Sequence, residues 1–105
     1  MAFPPQQDHR IPLEAAAALT RRYRGSHPQG VEQAVLFPRN VFERLLNQPG
    51  AAGIRFYYGQ EAEGGPLRLV AVAVDSNGDD LVTGEIADFG MPCPPFCSGD
   101  NALNR

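Results

Sequence analysis

A chain of 105 residues can bury one hydrophobic core and is too short for two, so a single domain is expected. With 43% apolar and 20% charged residues, the composition is that of a globular protein and excludes disordered and fibrous classes. The formal net charge of −3 offers no broad positive field to phosphate backbones or anionic lipid, so neither nucleic acid nor membrane is expected as a partner.

The start, Met1-Ala2-Phe3-Pro4-Pro5-Gln6-Gln7-Asp8, lacks the cationic and apolar regions of a secretory signal. No later stretch approaches the roughly 18 apolar residues of a membrane span. These features predict a cytoplasmic protein, in which two cysteines read as thiols or metal ligands rather than as a structural disulfide.

Residues 1–10 hold two prolines and two glutamines without apolar periodicity, and predict a flexible arm. From Pro12 to Arg24 the pattern is helical: Ala16, Leu19 and Tyr23 share a face, with Leu13 and Thr20 beside it. Pro12 suits the first helical position, Arg21, Arg22 and Arg24 complement the negative end of the helix dipole, and Gly25 can take the left-handed cap. Ser26-His27-Pro28-Gln29-Gly30 reads as a turn, while Val31 to Phe37 fits a short helix or an extended segment equally well. Asn40 can cap a second helix with Glu43 reaching back, its buried stripe being Phe42, Leu45 and Leu46, and Pro49-Gly50 ends it.

The period then becomes twofold. Ile54, Phe56 and Tyr58 alternate with Arg55 and Tyr57 in a first strand. After a glycine-containing loop, Leu67 to Val74 is apolar on both faces and predicts a central strand. Ser76-Asn77-Gly78-Asp79 reverses the chain, and Leu81 to Ala87 is expected to return as a third strand interrupted at Gly84. The expected architecture is α+β, a small antiparallel sheet of about three strands with two or three helices on one face. Its domain covers residues 11–87, and residues 88–105 form a Cys/Pro-containing tail packed on it.

Chemistry is sparse. Cys93 and Cys97 are the candidate metal or redox residues, since two sulfurs could supply half of a zinc site, but neither His9 nor His27 has a spacing that completes it. No other cofactor is expected. In polyproline geometry the two cysteine α-carbons would lie about 12 Å apart. A disulfide needs roughly 7 Å or less, so joint use of the thiols requires a bend at Pro94 or Pro95. The favoured expectation is that both cysteines act as small apolar residues which, with Phe96, hold the tail on the core. Asp75 to Asp80 resembles the start of a calcium loop, but Asp80 and Ile86 stand where that loop needs glycine and glutamate, which leaves a hairpin turn. Arg55 is expected to pair with a carboxylate such as Asp75. Candidate partner-binding residues are Arg21, Arg22 and Arg24 on the first helix and Pro94, Pro95 and Phe96 in the tail. No phosphate-binding glycine loop, nucleophile elbow or helical HExxH occurs.

Taken together, Leu13-Glu14 opening a helix that reaches Tyr23-Arg24, Leu45-Leu46-Asn47-Gln48-Pro49-Gly50, Gly53-Ile54-Arg55-Phe56-Tyr57-Tyr58, and Cys93-Pro94-Pro95-Phe96-Cys97 with Asn101-Ala102-Leu103-Asn104 resemble a group of small bacterial proteins common in Bacteroidetes. The chain departs from it at Pro12, where such proteins tend to have a capping serine or threonine. The resemblance implies a bacterial, stand-alone domain and no particular reaction. The expected function is a non-catalytic binding or assembly module acting on a protein partner or a second copy, with a metal or thiol function of the cysteine pair as the alternative.

Overall fold

A computed structural model of the protein describes residues 2–27 and 32–105. In chain order its elements are α1 (Leu13–Gly25), β1 (Ala34–Leu36), α2 (Arg39–Leu46), β2 (Gly53–Gln60), β3 (Leu67–Val74), β4 (Ile86–Ala87) and β5 (Met91–Cys93). They form two antiparallel sheets, one ordered β2-β3-β4 and the other the pair β1-β5, so the fold is α+β as the periodicities predict.

The register of β2 on β3 runs from Gly53 opposite Val74 to Gln60 opposite Leu67. Because successive side chains point to opposite faces, Ile54, Phe56 and Tyr58 share a face with Leu69, Ala71 and Ala73. Helix α2 covers one end of that face: Leu45 is 1% exposed and packs on Ala71 and Ala73, flanked by Val41 and Ile54. Small residues at 71 and 73 let Leu45 approach the strand closely. On the reverse face Val72 and Val74 are also buried, which fits the reading of β3 as a central strand covered on both sides. Among the described residues no helix is long and apolar enough to cross a membrane.

Several local expectations are corrected. Pro12 precedes α1 as its cap rather than opening it, and Gly25 is the last helical residue while Ser26, at φ −106°, is the C-cap. Helix α2 begins at Arg39, so Asn40 lies inside it and Pro38, with no side-chain hydrogen bond, is its cap. Its inward stripe is Val41 and Leu45, four residues apart, while Leu46 remains 46% exposed. Within the segment that fits helix or strand equally well, residues 34–36 form strand β1. The turn expected over Ser26 to Gly30 falls partly on 28–30, which with Val31 lie outside the described residues.

The third strand is shorter than the pattern suggests. The Asp75 carboxylate accepts the backbone N–H groups of Asn77 and Asp79, and Gly78 takes φ +83°, so the reversal is a side-chain-capped turn. Asp80 then bridges Val74, but the chain leaves the sheet and rejoins it only at Ile86–Ala87. The detour has a partner: Gln48 Oε1, just past α2, accepts the Glu85 N–H at 2.9 Å, and Arg44 of α2 forks the Glu85 carboxylate, so Glu85 is tied to this helix and its end instead of to β3.

Close packing under the second sheet gives a first test. A Cβ added at Gly90 would lie 2.9 Å from Phe37 Cζ and closer still to Val35. Gly90→Ala is therefore expected to destabilise the protein by about 1–3 kcal/mol, read as a lower urea midpoint. An unchanged midpoint would mean that β1 and β5 are not packed at this position.

Candidate functional site

The apolar residues that α2 leaves uncovered open onto a cleft of about 900 Å³. Its floor is the end of the three-stranded sheet, with Tyr58, Leu67 and Leu69, and one wall is α1, with Leu19 and Tyr23 four residues apart on a single face. The other wall comes from Leu36 of β1 and from the tail residues Phe96 and Leu103. Of the helical face predicted for Ala16, Leu19 and Tyr23, Leu19 and Tyr23 thus line this opening, while Ala16 is half-buried and does not. Only Ala17 of α1 is buried.

Exposure sets this surface apart. Among the described residues six apolar side chains are buried, whereas fifteen large ones are exposed, seven of them lining the cleft. The radius of gyration, 15.6 Å, exceeds the roughly 13 Å of a compact domain of about 100 residues. The cleft continues onto strand β2, whose outer side pairs with no strand among the described residues. There Phe56 touches Phe37 and Phe42, while Tyr58 is 82% exposed.

The tail departs most from expectation. Cys93 and Cys97 form a disulfide with α-carbons 4.8 Å apart, and the Cys93-Pro94 and Pro94-Pro95 bonds are both cis. The expectation of two free apolar thiols is therefore wrong: the bend that polyproline geometry denies is supplied at both prolines. As a disulfide the pair offers no thiolate to zinc. Among the described residues no group of three or more His, Cys, Asp or Glu could hold a metal ion. Phe96 is not fixed in a core, being 59% exposed at the cleft, and Pro94, Pro95 and Cys97 are exposed as well. Closing so short a loop constrains the unfolded chain by only about 2 kcal/mol.

The arginines of α1 divide. Arg21 and Arg22 are exposed, but Arg24 donates to the Leu103 carbonyl at 2.6 Å and to that of Arg105, joining α1 to the tail across the cleft. Arg55 is paired as expected, although its carboxylate is Asp80 rather than Asp75, and it also donates to the Gly78 carbonyl at 3.0 Å. On the same reverse face the Tyr57 hydroxyl donates to Asp80. Beside β4, Arg68 forks Asp88 and lies 4.2 Å from the centre of the Phe89 ring.

These pairs carry a pH dependence. The Tyr57 hydrogen bond, then Arg55, holds the Asp80 carboxyl below its usual range, and Arg68 does the same for Asp88. A carboxylate whose folded pKa is depressed contributes stability that is complete above its unfolded value near 4 and is lost as pH falls through the folded one. Melting temperature is thus expected to fall as pH drops below about 4, with a shallower fall in Asp80→Asn. Equal slopes for the variant and the parent would remove Asp80 from this account.

The sequence singles out the cysteines and arginines but not the cleft. One signal was available: the apolar face of Ile54 and Phe56 continues to Tyr58, an aromatic near the far end of the strand. No family model, curated protein or solved structure matches the chain.

Proposed function

We propose that the protein is a non-catalytic binding module that assembles with a second copy of itself through the outer edge of β2 and the adjoining cleft. One observation carries this reading, the unguarded edge. Exposed edge strands are normally blunted by lysine, proline, a bulge or an inward charge. The eight residues of β2 contain no lysine or proline, and their one charge, Arg55, is neutralised by Asp80 of the same chain. Two copies can therefore pair without bringing unpaired like charges together.

Self-pairing follows from symmetry. A twofold axis perpendicular to the sheet sets β2 antiparallel to its copy and keeps both α2-bearing faces on the same side. The product is a six-stranded sheet in which Phe56 and Tyr58 of the two copies adjoin, and the two clefts lie on that shared face. Main-chain hydrogen bonds supply much of the affinity in strand addition, and the aromatic pairs supply specificity. Exposed apolar surface on this scale marks an interaction site rather than a finished monomer surface.

Sedimentation equilibrium over a concentration series tests the reading. The expected mass rises from 11.4 kDa to twice that value. A mass that stays at one chain up to high micromolar concentration would refute self-assembly.

A further inference from the structure

The disulfide sits at a consequential place. Cys93 ends β5, paired with Ala34 of β1, and its carbonyl accepts the Gln33 N–H at 2.7 Å, so it is anchored in the second sheet. Cys97 is exposed and opens the segment 98–105, from which Ser98, Asn101, Leu103 and Asn104 line the cleft. Within that segment the hydrogen bonds are largely local, Asn101 and Asn104 bonding to Ser98, Gly99, Leu103 and each other. The side-chain hydrogen bonds that reach another element come from one residue, Arg24. Among the described residues this wall of the cleft is therefore held by one covalent link, by the Phe96 N–H donated to the Pro92 carbonyl of β5 at 2.9 Å, and by one arginine.

We infer that the Cys93–Cys97 disulfide is a redox latch for the cleft: closed, it seats Phe96 and Leu103 as part of the wall, and opened, it releases residues 94–105. This rests on reading the cleft and the β2 edge as the association surface. Opening needs a dithiol reductant. Its thiolate attacks the sulfur of the exposed residue Cys97, the S–S bond breaks and Cys93 leaves as a thiolate, giving a mixed disulfide. The reductant's second thiol, as its thiolate, displaces Cys97, so two electrons pass to the pair, the reductant becomes a cyclic disulfide, and two protons complete the cysteine thiols. An exposed disulfide in a thiol-reducing compartment, such as the cytoplasm that the sequence suggests, is of the kind that is opened and closed rather than permanent.

The latch acts by preorganisation. Ordering interface side chains before association removes a cost that the complex would otherwise bear. With Phe96 and Leu103 released, association is expected to weaken about tenfold.

Amide hydrogen exchange and sedimentation, each with and without dithiothreitol, provide the test. Reduction should raise exchange at residues 98–105 at least tenfold while leaving β3 protected, and should raise the dissociation constant about tenfold. Cys97→Ser should match the reduced parent and no longer respond to dithiothreitol. Equal exchange at 98–105 in both redox states would overturn the latch whether or not the protein dimerises. Equal dissociation constants in the two states would overturn its control of association. An oxidised protein that stays monomeric would instead refute the association surface, and with it that control, and the exchange data would still decide whether the disulfide holds the wall.

Discussion

Leu45→Ala is expected to remove about 2–5 kcal/mol of folding free energy, the largest effect of any single core truncation here. Leu45 is the largest fully buried side chain, and it is the contact between α2 and the small residues of β3. The cavity it leaves cannot refill easily, because Ala71 and Ala73 have no side-chain reach with which to collapse into it. A domain of this size typically holds 5–15 kcal/mol in total, so the loss would consume a large share of the margin. Urea unfolding should show a much lower midpoint at an unchanged slope. By contrast Leu46→Ala, 46% exposed one position along, is expected to cost less than about 1 kcal/mol. Similar losses for the two variants would mean that α2 is seated differently.

Tyr58→Lys is expected to weaken self-association at least tenfold while leaving the monomer's stability within about 0.5 kcal/mol. The side chain is 82% exposed, so its replacement leaves no buried cavity. It stands on the free edge of β2 and on the floor of the cleft, where a lysine places a charge beside its symmetry mate and must be desolvated for the sheets to join. Val82→Lys is the control, since Val82 is 65% exposed but lies outside β2 and the cleft. Its association should match the parent. If both lysines act equally, net charge rather than the edge governs association.

The local parts of this fold were legible and the long-range parts were not. The twofold alternation from Ile54 to Tyr58 and the apolar run from Leu67 to Val74 marked β2 and β3, because burial on a sheet leaves a period in the sequence. Strand β1 left no comparable trace. Three residues fit helix or strand equally, and what decides between them is pairing with Met91–Cys93, more than fifty positions away. Leu81 to Ala87 misled for a related reason, since the segment can return as a strand locally but Gln48 and Arg44, distant in sequence, hold Glu85 away from β3. The disulfide was missed because a proline's own identity does not fix the isomer of the bond before it, and the distance argument assumed extended geometry. The cleft was hidden for a different reason: Leu19 reads as part of an apolar helical face and Tyr58 as part of a strand alternation, and only the assembled exposure of these two with Leu36 and Leu103 marks the cleft.

The pairing of β2 with its own copy is tested most directly by amide hydrogen exchange across Gly53–Gln60 at two protein concentrations. Half of these amides point to the outer edge, and only a second strand can protect them. Protection of the alternate, outward amides is expected to appear as concentration rises, while the inward ones bonded to β3 stay protected throughout. Outward amides that exchange freely at every concentration would contradict it.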